Sequence, residues 1–296
     1  MFRTVAELIE LAESQNISIS EVMIQKEMEE SGRSREAIFN QMAHNLSIME
    51  LAVERGITEN VRSHSGLTGG DAILLQDYIK SGKSLAGNIL LDAVSKAVAT
   101  NEVNAAMGTI CATPTAGAAG VVPGVLFGLK EKLNPTREAM VRFLFTSGAF
   151  GFVVANNASI SGAAGGCQAE VGSATAMAAA AVVEMAGGTP SQSAEAMAIA
   201  LKNMLGLVCD PVAGLVEVPC VKRNAMGAAK AIVAADMALA GIKSAIPCDE
   251  VIDAMYRIGL QMPRALRETA EGGLADTPTA RAFEKKLFGT TPTKGS

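Results

Sequence analysis

Residues 143–169 read FLFTSGAFGFVVANNASISGAAGGCQA, a stretch without one charged side chain. It is long enough to be weighed as a membrane span. Its composition argues for a protein interior instead. Asn156, Asn157, Ser159 and Ser161 interrupt the apolar run, and a glycine-rich tract follows. A second uncharged stretch, Val103 to Leu129, is broken by Pro114, Pro123 and five glycines. Neither is a sustained apolar helix, and the Lys/Arg flanks show no clear asymmetry. Both read as buried segments whose uncharged polar groups face a pocket, so no membrane is expected.

The whole chain agrees with that reading. Its 296 residues suffice for a sizeable core. Hydrophobic residues reach 49%, yet aromatics are 4% and Trp is absent, so Ala, Val, Leu, Ile and Met supply the apolar mass. Such a mixture favours closely packed helices. No segment sustains the alternation of half-buried strands, and the predicted class is mostly α, one helical domain. A net charge of −5 gives no nucleic-acid footprint and no polybasic membrane patch. The N-terminus lacks the apolar stretch of a signal peptide, and five cysteines form no disulfide framework. A reducing cytoplasm is the simplest expectation.

Residues 1–60 form a charge-rich helical segment, and 61–290 complete the same domain; 291–296 are expected to fray. Ser18 with Glu21 fits a capping box, and Ser34 restarts a helix after Gly32. Residues 61–70 read as a loop, after which a helix is predicted from Ala72 to about Met107. Asn134 and Pro135 look like N-cap and first turn. Thr189, Pro190 and Gln192 start a helix that should stop near Gly206. Asp249 opens a run with Val251, Met255 and Ile258 on one face, closed by Gly259. Thr277 and Pro278 start the last helix, ending at Gly289.

Chemistry concentrates in three cysteines, Cys167, Cys209 and Cys220. Each lies in a segment marked by glycine or proline: Gly165-Gly166-Cys167-Gln168, Cys209-Asp210-Pro211-Val212, Pro219-Cys220. Three thiolates are one short of the usual four for a four-iron cluster, and such a cluster keeps one iron open as a Lewis acid. Cysteine is also an ordinary buried small hydrophobe; spacing alone leaves a metal site and a structural role evenly matched. Cys111 and Cys248 read as structural. With only His44 and His64 in the chain, mixed Cys/His zinc sites are poorly supported.

Two hydroxyl-bearing loops stand beside the cysteines. One holds Ser63, His64, Ser65 and Thr68 among glycines, and by residue type it is more simply a surface loop. The other, Thr113 to Gly120, carries Thr113 and Thr115 on a backbone able to cradle an anion. Lys222 and Arg223 could offset a negative cluster or simply be solvated. Glu170, in an apolar tract, fits a base of raised pKa and a structural ion pair equally well. No Gly-x-Gly-x-x-Gly or Walker-type loop occurs.

The chain resembles the iron–sulfur-dependent L-serine dehydratases, in particular the alpha chain of the two-chain bacterial form. The likeness rests on Ser63-His64-Ser65-Gly66-Leu67-Thr68-Gly69-Gly70-Asp71, on Thr113-Pro114-Thr115-Ala116-Gly117-Ala118-Ala119-Gly120, on Ser161 through Gly172, and on Cys209-Asp210-Pro211-Val212 through Pro219-Cys220. It runs over roughly residues 15–275. The resemblance implies a [4Fe-4S] cluster on Cys167, Cys209 and Cys220. It also implies a substrate site for L-serine at Ser63, His64, Ser65, Thr68, Thr113 and Thr115, and a cytoplasmic lyase of serine catabolism and gluconeogenesis. His64 and Glu170 are the candidate bases. Single-chain members carry a fused regulatory domain and end in a cysteine. This chain shows neither, so a separate beta chain is the expected partner. Two other classes remain: a pyridoxal-phosphate dehydratase, needing an α/β fold and a Schiff-base lysine such as Lys83 or Lys230, and a non-enzymatic helical membrane or scaffold protein.

Overall fold

The computed structural model describes residues 2–289, so the tail expected to fray over 291–296 lies outside the described residues. Among these residues the elements are helices and no strand forms. The β-type pairings there are two isolated bridges, Arg62 with Gly69 and Cys209 with Arg267. The mostly α reading holds, and the α/β fold required by the pyridoxal-phosphate alternative is not this one.

Helices α1 (Val5–Ser14), α2 (Ile19–Ser31) and α3 (Arg35–Thr58) open the chain. Ser18 caps α2 by accepting the Glu21 N–H at 3.2 Å, and Ser34 caps α3. The capping box at Ser18 is only half formed. Glu21 turns its carboxylate to Arg35 and Arg142 instead of back to the cap. The helix predicted over 72–107 is two helices, α4 (Asp71–Lys80) and α5 (Asn88–Ala105). Ser81 to Gly87 breaks it, with Gly82 at φ 70°, where the helix cannot continue without strain.

Next come α6 (Val121–Gly128), α7 (Lys130–Leu133) and α8 (Arg137–Asn157). Asn134 does not start α8. It ends α7 in the left-handed conformation, and Thr136 caps α8 by accepting the Ala139 N–H at 3.1 Å. The rest is α9 (Gly162–Gly165), α10 (Ser173–Met185), α11 (Pro190–Lys202), α12 (Cys220–Leu239), α13 (Cys248–Gln261) and α14 (Pro278–Phe288). The capping box at Thr189 and the Thr277 cap form as predicted, whereas α11 stops before Gly206. Asp249 caps α1, accepting the Val5 and Ala6 N–H groups at 2.8 and 3.0 Å. Gly259 does not close α13. A Cβ there would sit 2.9 Å from Gly165 Cα, so the glycine lets α13 pass against α9.

Helix α10 lies at the centre. Every residue from Ser173 to Val183 is buried, and α6, α8, α11 and α12 pack around it. Its alanines explain the aromatic-poor composition: small side chains let helix axes approach while interior density is kept. The same device joins α6 to α5, where a Cβ on Gly124 would come within 2.6 Å of the Ala97 Cβ. The uncharged stretches bury their helical parts, whereas 104–116 and 155–164 stay partly exposed, Met107 at 80%. Helix α6 is wholly buried, and α8, long and apolar enough to cross a membrane by length and composition, has 67% of its apolar window covered.

Candidate metal centre and its hydroxyl loops

Cys167 follows Gly166 and leads into a π-helical turn, Gln168–Gly172, that carries Glu170 and runs on into α10. Single π turns in helices are frequent at functional sites. Cys209 arrives on the loop after α11. Two backbone bonds fix it, from Cys209 N to Leu266 O at 2.8 Å and from Glu268 N to Cys209 O at 2.7 Å. The Cys167 and Cys209 thiols and a Glu170 carboxylate oxygen all lie within 4.8 Å of one another. The three residues are 1%, 2% and 8% exposed. Cys220, the first residue of α12, is also buried and feels the charges of Cys167 and Glu170, but it stands outside that trio.

The electrostatics are those of donors gathered away from water. A hydrogen bond from Cys209 and the charge of Arg223 hold the Cys167 thiol below its ordinary value, against its burial. The same bond and burial push the Cys209 thiol up, and burial pushes Cys220 up. Burial likewise raises the Glu170 carboxyl, with Glu268 adding to the rise and a Thr115 hydrogen bond opposing it. The expectation for Lys222 and Arg223 divides. Lys222 is exposed and pairs with Asp71, whereas Arg223 is turned inward. Its Nη1 donates to Val208 O at 2.8 Å.

This donor set fits a thiophilic metal group. All five cysteines are free thiols; Cys167 and Cys209 meet in the interior, and Cys220, buried as well, feels the charge of Cys167. Space beside them is kept open by Gly162: a Cβ there would stand 2.9 Å from Cys209 Sγ and 3.1 Å from Glu170 Oε2. Thiolate softness suits iron–sulfur clusters. Cys111, which donates to Asn45 O at 3.5 Å, and Cys248, buried at the start of α13, are not in the group.

Both hydroxyl loops are fastened to the cysteine segments. Thr115 donates to Glu170 Oε1. Asn224 of α12 holds the same loop, donating to Gly117 O at 2.7 Å and accepting the Gly120 N–H at 3.1 Å. Thr113 turns back on its own loop, its hydroxyl 3.5 Å from Ala119 O. In the other loop Ser65 and Thr68 donate to Glu217 Oε2 at 2.7 and 3.0 Å, and Ser63 Oγ lies 3.1 Å from Ser65 Oγ. Glu217, three residues before Cys220, is 5% exposed. His64 is exposed and makes no side-chain hydrogen bond among the described residues. Sequence reading missed Glu217 and Asn224, whose partners Ser65 and Gly120 lie far off in the chain.

A family model described as serine dehydratase alpha chain matches residues 14–275. The chain is 76% identical over 289 residues to a probable L-serine dehydratase alpha chain of Bacillus subtilis, covering 98% of this chain and 96% of that one. It is 41% identical over 288 residues to the L-serine dehydratase alpha chain of Peptoniphilus asaccharolyticus, covering 97% and 99%. L-serine dehydratase 1 of Escherichia coli is 39% identical over 282 residues, covering 93% of this chain but 61% of that longer one. With buried, converging cysteines, two hydroxyl loops tied to them and a match over most of its length, the chain belongs to the serine dehydratase alpha chain family.

Proposed function

We propose that this chain converts L-serine to pyruvate and ammonia, with a [4Fe-4S] cluster held by Cys167, Cys209 and Cys220. The observation that carries the reading is the convergence of both hydroxyl loops on the cysteine segments, through Thr115 on Glu170 and through Ser65 and Thr68 on Glu217. When bound, the cluster supplies a Lewis-acidic iron with no protein thiolate, which makes the β-hydroxyl a better leaving group and the Cα–H more acidic.

The residues supply the rest. Glu170 receives the Cα proton: Oε1 is engaged by Thr115, while Oε2 faces the space beside Gly162 and Cys209. Fixing one oxygen orients the other, and positioned proton transfer contributes about 10²–10⁴-fold to rate. Arg223 offsets negative charge at Cys167. The two loops orient the substrate carboxylate and ammonium, with His64 at the outer edge. Loss of water leaves aminoacrylate, which tautomerises to an imine and hydrolyses.

A separate beta chain completes the enzyme in this reading. Support comes from the relatives named as alpha chains and from the longer Escherichia coli relative, of which this chain spans 61%. Five free thiols and an air-sensitive cluster suit the reducing cytoplasm. The test is pyruvate formation from L-serine by anaerobically purified protein co-expressed with its partner. Activity should track iron and sulfide content and vanish in Cys167→Ala. Undiminished activity in that variant, with an aldimine absorbance band, would overturn the proposal.

A further inference from the structure

We propose that Glu217 is a positioning residue that clamps the Ser63–Thr68 loop to the Cys209–Cys220 segment, leaving His64 and the loop backbone to meet the substrate. The inference rests on the function proposed above and assigns the loop's hydroxyls a different role from the one expected of them.

The hydroxyl protons of this loop are already committed. Ser65 Oγ and Thr68 Oγ1 both donate to Glu217 Oε2, at 2.7 and 3.0 Å. A hydroxyl has one proton to donate, so neither can also donate to a substrate carboxylate. Ser65 Oγ accepts the Leu67 N–H at 3.0 Å and stands 3.1 Å from Ser63 Oγ. With the Ser65 proton committed to Glu217, the proton between the two serines belongs to Ser63. Ser63 Oγ in turn lies 3.3 Å from the Thr68 N–H, and the loop is closed by Ser63 N to Thr68 O at 3.0 Å. Every hydroxyl proton of the loop is thus used within the clamp.

Glu217 is suited to this work. It is 5% exposed and makes no ion pair among the described residues, so these hydroxyls are the donors that compensate its burial. Its own backbone is tied to α12, from Val221 N to Glu217 O at 3.0 Å. A carboxylate on the short segment between two cysteines therefore sets where the distant loop stands. His64, exposed between the clamped serines, is carried to its place by the loop, with no side-chain hydrogen bond of its own among the described residues.

The test uses the anaerobic holoenzyme and three variants: Glu217→Ala, Glu217→Gln, and Ser65→Ala with Thr68→Val. Hydrogen exchange of residues 63–69 should rise about tenfold or more in Glu217→Ala, the scale set by hydrogen bonds to a charged acceptor. Glu217→Gln, which keeps an acceptor oxygen, should recover much of the protection. In kinetics, Glu217→Ala should raise KM for L-serine by about tenfold with kcat and iron content nearly unchanged. Adding Ser65→Ala and Thr68→Val to Glu217→Ala should raise KM little further, because all three act through one clamp. Unchanged exchange in Glu217→Ala would overturn the proposal. So would a further rise in KM from the hydroxyl substitutions as large as they cause in the wild type, since they would then touch substrate directly. Should the wild type form no pyruvate, the functional reading fails, while the exchange arm still decides the clamp; should Glu217→Ala not fold, Glu217→Gln and the Ser65/Thr68 variant carry it.

Discussion

Arg223 joins Cys167 to Asp210 through one guanidinium: Nη1 lies 3.5 Å from the Cys167 thiol and Nη2 2.8 Å from Asp210 Oδ1. Asp210, 3% exposed, also accepts the Leu274 N–H at 2.7 Å. The residue next to one cysteine thus fixes the cation beside another. Such outer partners orient ligands and tune the group they hold.

Arg223→Met should leave Asp210 buried and unpaired, destabilising the metal-free chain by about 3 kcal/mol or more. Adding Asp210→Asn should return much of that stability without restoring cluster retention. Denaturant melts of the metal-free chain and iron content after anaerobic gel filtration separate the two effects. Equal retention in all three proteins would remove Arg223 from the metal centre.

Cys167→Ala, Cys209→Ala and Cys220→Ala should each abolish iron retention. Cys248→Ala should keep full iron content and cost about 1 kcal/mol, the scale of a small core deletion. Iron and acid-labile sulfide analysis decides, and loss of iron in Cys248→Ala would show the ligand assignment to be wrong.

The local signals were the legible ones. Ser34, Thr189 and Thr277 announce helix starts because a cap acts within three residues of itself. Cys167, Cys209 and Cys220 stood out because glycine and proline mark them. Two helix boundaries carry competing neighbouring signals. Asn134 precedes Pro135 but serves the helix behind it, and Gly82 interrupts an otherwise helical pattern. Glu217 was illegible for another reason. Its partner Ser65 is 152 positions away, and no local pattern reports that distance. Asp249 is similar: it sits where a helix starts but caps a different one, 244 residues earlier.

Glu170→Gln should lower kcat by about 10²–10⁴-fold while leaving KM within a few fold, since it removes a proton acceptor and keeps the shape. His64→Ala should do the reverse, raising KM with the cluster intact. Steady-state kinetics normalised to iron content distinguishes them. A larger kcat loss in His64→Ala would exchange the two roles.

Glu21 links α2 to α3 and α8, accepting from Arg35 at 2.8 Å and from Arg142 at 3.2 Å. The Arg35 hydrogen bond, with Arg142 assisting, holds its carboxyl below the ordinary value. A depressed folded-state pKa gives stability that is present at neutral pH and lost as pH falls through that pKa. Glu21→Gln should therefore cost on the order of 1 kcal/mol at neutral pH. The gap should close in acid, and melting temperatures across the acid range read it; a gap independent of pH would contradict the assignment.

Mössbauer spectroscopy of isotopically enriched, anaerobic protein, with and without L-serine, reads the open iron itself. A four-iron cluster is expected in which about one iron in four responds to L-serine while the others hold still. Four equivalent irons indifferent to serine would contradict it and leave the cysteines a structural role.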